Sequence, residues 1–83
     1  MERDIQRKLV KKYEADGWYV VKIIQCNKPG FPDLMLIKDG EVFFIEVKTA
    51  TGVVRPLQKY RHDELRKQGM KCCIFKGDKF IDK

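Results

Sequence analysis

The dipeptide Asp39-Gly40, set between two strand-like apolar runs, is the feature that most restricts what this chain can fold into. Asp-Gly favours a two-residue hairpin turn, because both central positions of that turn take positive φ. With 39 and 40 as the turn, facing residues sum to 79, so Lys38 faces Glu41 and Ile37 faces Val42. Further down the same ladder Asp33 falls directly opposite Glu46. Directly opposed side chains on one sheet face have Cβ atoms roughly 5 Å apart, and like charges there are destabilising. Lys48, two residues past Glu46, points to the same face. A carboxylate pair with an ammonium beside it, at the end of an apolar hairpin, is a costly arrangement that implies a use.

The rest of the hairpin says where it sits. One face carries Met35, Ile37, Val42 and Phe44 beside the three polar residues, and the other carries Leu34, Leu36, Phe43, Ile45 and Val47. Both faces are apolar, so the hairpin is central and covered on both sides. Helical spacing of Ile5, Leu9, Val10 and Tyr13 predicts a helix over residues 2–16, stopped by Gly17. Residues 18–25 are rich in β-branched and aromatic side chains and predict a strand. Residues 26–31 hold Asn27, Pro29 and Gly30 and predict a loop, before strands over 33–38 and 41–48. A flexible loop over 49–55 precedes a second helix over about 57–68, with Pro56 in its first turn and Gly69 closing it. Residues 70–75 predict a last strand, and the final eight, with Gly77-Asp78, a turn and a short tail. The order is αβββαβ: an α/β fold with a mixed central sheet flanked by helices, its acidic pair where strands end.

At 83 residues the chain predicts one domain, residues 1–83, with no repeat, linker or low-complexity segment. A chain of this size buries only about 60% of its unfolded surface, so its core is marginal alone. No apolar run approaches the length of a membrane span, and the charged start Glu2, Arg3, Asp4 is no signal peptide, so a cytoplasmic protein is expected. The formal charge of +6 favours a polyanionic partner, nucleic acid before membrane, although basic charge also serves solubility alone.

Cys26, Cys72 and Cys73 are odd in number and form no CxxC, so neither a disulfide framework nor a zinc site is indicated. Cys72-Cys73 reads as strand filler in a reducing compartment. His62, the one histidine, lies in a charged helical stretch and reads as a surface residue rather than a catalytic base.

Two carboxylates this close cannot both ionise cheaply without a cation. Oxygen ligands suit a hard ion, Mg²⁺ or Mn²⁺, which retains waters and engages substrate phosphate. Such an ion acidifies water and offsets charge growing on phosphorus, while Lys48 adds a positive charge at the attacked phosphate or orients the water. Phosphodiester hydrolysis needs this combination, here on a basic protein.

At these residues the chain resembles the PD-(D/E)xK nuclease superfamily, and within it the virus-type replication-repair nuclease (VRR-NUC) family, found alone in phages and as the nuclease domain of Fanconi-associated nucleases. Gly30-Phe31-Pro32-Asp33-Leu34 matches that family's Gly-x-Pro-Asp-Leu pattern, and Phe44-Ile45-Glu46-Val47-Lys48 its apolar-Ile-Glu-x-Lys strand. Gln58, ten residues past Lys48, resembles the Gln that opens the family's second helix, and Leu65 to Gly69 that helix's end. The resemblance covers nearly the whole chain and implies a restriction-endonuclease-like core. Either motif alone is common by chance; in register they are specific.

The resemblance also implies roles. Asp33 and Glu46 bind metal with the Val47 carbonyl as an extra ligand, Lys48 is catalytic, and Gln58 contacts the lysine, a water or DNA. Glu2 is the counterpart of an acidic ligand on the first helix, though it also reads as a solvated acid favoured by the helix dipole. Gln58 also reads as a plain helix-opening residue. Lys28, Arg55, Lys59 and Arg61 flank the site in sequence, as phosphate contacts or as solvated charges. Stand-alone members are similar to Holliday junction resolvases and act as homodimers, which implies branched DNA, four-way junctions above all, as substrate. If phage-encoded, the protein works in the bacterial host cytoplasm. The alternatives are a flap- or fork-trimming nuclease and a non-catalytic DNA-binding module on a degenerate nuclease fold. The intact Asp, Glu and Lys argue against the last. Without an appended DNA-reading element, shape recognition is expected over sequence recognition.

Overall fold

The computed structural model describes residues 1–81. Its elements are α1 (Glu2–Ala15), β1 (Tyr19–Lys22), β2 (Leu34–Lys38), β3 (Glu41–Lys48), α2 (Pro56–Lys67), β4 (Lys71–Lys76) and β5 (Lys79–Ile81). They form a five-stranded sheet in the order β1-β2-β3-β4-β5, with only the β3–β4 pair parallel. The result is an α/β fold with a mixed sheet and two helices.

The hairpin register is the expected one: Lys38 pairs with Glu41, Ile37 with Val42 and Leu34 with Ile45. Asp39 and Gly40 take φ of 51° and 81°, the two positive values that a hairpin turn following the sheet twist requires. Alternation along β2 and β3 then sorts the side chains. Leu34, Leu36, Ile45 and Val47 are fully buried and join Leu9 of α1 in the main core, with Ile5, Val10, Tyr13, Trp18 and Phe43 packed around it. Tyr13, Trp18 and Phe43 meet edge to face at 5.0–6.3 Å, fastening the end of α1 to β3. The opposite face carries Phe44, Glu46 and Lys48, all buried, under α2. The parallel β3–β4 pair needs a crossover between its strands, and the segment containing α2 supplies it.

Three sequence expectations need correction. The strand expected over 18–25 is only Tyr19–Lys22. Its last backbone bond to the neighbouring strand runs from Ile23 N–H to the Asp33 carbonyl, at 2.8 Å. At the next hydrogen-bonding position the Phe31 N–H turns back to the Lys28 carbonyl at 3.2 Å, and Ile24 is exposed. The expected terminal tail instead contains a strand, β5, paired antiparallel to β4 across the Gly77-Asp78 turn and anchored by Phe80 against Phe75 at 4.9 Å. Residues 82 and 83 of that tail lie outside the described residues. His62 is the third correction: it is not on the surface but 1% exposed, on the face of α2 turned to the sheet.

Candidate active site

The loop before β2 aims Asp33, and several contacts hold that loop. Gly30 has φ of +83°, and a Cβ there would meet Leu57 Cγ of α2 at 2.9 Å, so both conformation and space call for glycine. Phe31 packs edge to face on Phe44 at 5.4 Å. Arg61 Nε donates to the Pro29 carbonyl at 2.8 Å. Pro32 is buried. Asp33 leaves this anchored segment one residue before β2, and its Oδ2 accepts a hydrogen bond from Val47 N–H at 2.8 Å. One hydrogen bond therefore ties the Pro-Asp motif to the Glu-Val-Lys motif.

Glu46 is 2% exposed. Its Oε2 accepts a hydrogen bond from Gln58 Nε2 at 3.0 Å and lies 3.8 Å from Lys48 Nζ. Gln58 is oriented by its other end: Oε1 accepts from the Arg55 backbone N–H at 2.9 Å, closing the first turn of α2. Because Oε1 caps the helix, Nε2 has to face Glu46. Glu46 Oε1 is buried without a hydrogen-bond partner, and so is His62 Nε2, 3.9 Å away.

Burial and the neighbouring Glu46 carboxylate push Asp33 up to about 6, against the opposing pull of the Val47 N–H and of Lys48. A carboxylate pair, Glu46 buried and Asp33 half-buried, with one Glu46 oxygen lacking a donor, is a site that a divalent cation relieves. The all-oxygen donors fit Mg²⁺ or Mn²⁺ rather than a thiophilic metal. The raised value also has a consequence for stability. The folded value exceeds the ordinary 3.8, so the contribution of Asp33 to stability is fully present below 3.8 and lost as pH rises through about 6. In EDTA, Asp33→Asn is expected to raise the melting temperature at pH 7.5 and to flatten its decline between pH 4 and 7. Thermal melts across that range check it, and a mutant as pH-sensitive as the wild type would contradict it.

The structure thus brings Asp33, Glu46, Lys48 and Gln58 together, with the Val47 backbone between the acids. It does not bring Glu2 to them. Glu2 is exposed at the first residue of α1, a helix that packs on the other face of the sheet. Among the described residues no three acidic, histidine or cysteine side chains gather at one point. Lys28, Arg55 and Lys59 are exposed. Arg61 differs, because its guanidinium is engaged with the Pro29 carbonyl and, at 2.9 Å, with Glu64. Lys28 and Asp33 share the lining of an open hollow of about 290 Å³ beside the loop before β2. Sequence reasoning missed His62 as a neighbour of the site. Its spacing of four from Gln58 was the available signal, since residues four apart share a helix face.

The profile of the VRR-NUC domain family matches residues 2–79. A solved structure described as a VRR_NUC domain superimposes with a TM-score of 0.79 at 29% identity, covering 93% of this chain and 84% of that one. No significant match was found among curated proteins. A mixed sheet bearing Asp, Glu and Lys at one end, with these likenesses, defines a nuclease fold of the PD-(D/E)xK type. Within that class, the chain belongs to the VRR-NUC family. No helix among the described residues is long and apolar enough to cross a membrane.

Proposed function

We propose that the protein is a metal-dependent, structure-specific DNA endonuclease that hydrolyses phosphodiester bonds and, as a homodimer, resolves four-way junctions. The observation that carries the hydrolase is the joint of half-buried Asp33 and Gln58 with buried Glu46 and Lys48, at the meeting of two strands and a helix. Asp33 and Glu46 would hold Mg²⁺ or Mn²⁺, with the Val47 carbonyl as a further ligand; Glu2, on the helix that covers the other face of the sheet, stands outside this set. When bound, the cation supplies charge stabilisation to the phosphoryl oxygens and makes water more acidic.

The remaining work belongs to the chain. Lys48, nine-tenths buried, keeps its ammonium beside the acids, where it meets the charge that builds on the phosphoryl oxygens and orients the attacking water. Gln58 holds the Glu46 carboxylate in one rotation, so the cation site is preformed. The Val47 N–H fixes Asp33 and keeps part of its charge compensated before substrate arrives. Lys28, Arg55 and Lys59 follow the DNA backbone, reading its path rather than its bases. Arg61 contributes by holding the loop that carries Lys28.

Three considerations support a dimer acting on junctions. Each chain carries one site, while resolution of a junction takes two symmetric nicks. A small core gains from C₂ pairing. Pairing also doubles the +6 charge, which suits the crowded phosphates of a crossover. Light scattering combined with cleavage of labelled duplex, flap, fork and four-way DNA is the test. A dimer that nicks four-way junctions symmetrically is the expected result. A monomer at micromolar concentration that cuts flaps and leaves junctions intact would overturn the resolvase reading and leave the nuclease.

A further inference from the structure

We infer that His62 is a positioning residue for the cation site, donating a hydrogen bond from Nε2 to Glu46 Oε1; this rests on the metal-dependent reading above. His62 is 1% exposed and Glu46 2%, and their facing atoms, Nε2 and Oε1, are both buried and both without a partner. The atoms stand 3.9 Å apart, beyond hydrogen-bond length but with complementary needs. Each lacks what the other supplies, since a neutral imidazole carrying its proton on Nε2 is a donor and a carboxylate oxygen accepts. Hydrogen bonds at catalytic sites are often long before the ligand is present and tighten once it binds.

Helix geometry makes the pair specific. Gln58 and His62 are four residues apart and so share one face of α2. Gln58 Nε2 already holds Oε2 at 3.0 Å, and His62 Nε2 faces Oε1. One helix face thus presents a donor to each oxygen of a single carboxylate. Held at both oxygens, Glu46 keeps one plane. A side chain that merely filled the core here would be apolar, as the buried Ile74 paired beside Glu46 is. Partners of this kind, one bond removed from the metal, commonly change affinity about 10- to 100-fold.

The test uses Mn²⁺ alone, without DNA, on wild-type protein and the His62→Leu and His62→Gln variants. Free Mn²⁺ is followed by electron paramagnetic resonance. Leu preserves bulk without a donor, and Gln restores an N–H at similar reach. Leu is expected to weaken Mn²⁺ binding about 10-fold or more, and Gln to recover most of the loss. Melting of the metal-free Leu variant should be no lower than wild type. Equal Mn²⁺ affinity in Leu and wild type overturns the inference, and so does a Gln variant as weak as Leu. If wild-type protein itself binds no Mn²⁺, the metal-dependent reading falls first. Should the Leu variant fail to fold, ¹⁵N spectra of the wild type decide the matter, because His62 is the one histidine. A proton on Nε2 whose resonance moves on saturation with Mg²⁺ supports the role, and an unmoved resonance rejects it.

Discussion

Replacing Glu46 with Gln is expected to reduce DNA cleavage by roughly 1,000-fold or more, the scale of losing a member of a catalytic unit. The substitution keeps the shape of a side chain that is 2% exposed and still offers Gln58 an acceptor, so the fold should persist. It removes half of the paired negative charge that would hold the cation. DNA affinity should hold or rise, because a negative charge near phosphate is gone. Single-turnover cleavage and gel-shift titration on the same preparation separate the two effects. A Glu46→Gln protein that cleaves normally would remove the basis for the site.

Lys48→Ala is the second large effect. Its ammonium is nearly buried and 3.8 Å from Glu46 Oε2, so in the ground state it already has a partner. In the proposed reaction it would add positive charge where the phosphoryl oxygens become more negative. Loss of one such preorganised group costs about 100- to 1,000-fold in kcat. An interaction made chiefly in the transition state affects rate rather than affinity, so KM for DNA should change little. Steady-state kinetics on a junction substrate give both constants. A normal kcat with a raised KM would make Lys48 a plain phosphate clamp.

The site's strand component was legible in the sequence for a simple reason. Asp39-Gly40 permits one tight turn, and a tight turn sets the pairing of every residue on both strands. From that register alone Asp33 came to face Glu46, and Lys48 came to share their face. The apolar set Leu34, Leu36, Ile45 and Val47 was assigned to the opposite face on the same basis, and it is the main core. The helical component was less legible. Residues 56–67 are charged around most of their circumference, so no apolar stripe marks which side turns inward. Gln58 was found by resemblance; His62 was passed over, because its burial is decided by packing against the sheet and not by its neighbours in sequence. Two smaller departures have local causes. The Phe31 N–H bonds back to the Lys28 carbonyl, which ends the β1 ladder, and β5 is a three-residue strand, too short to leave a pattern. Glu2 fits its motif position, yet α1 packs on the face away from the acids, and it stays apart from them.

The most direct test of the Asp33–Glu46–Lys48 site is cleavage of a labelled DNA panel by purified protein with Mg²⁺ or Mn²⁺, beside parallel reactions in excess EDTA. The proposed activity requires cleavage of at least one branched substrate with metal, none in EDTA, and none by Asp33→Asn with metal present. Cleavage that persists in EDTA, or an Asp33→Asn protein as active as the wild type, would contradict a catalytic site built on these carboxylates.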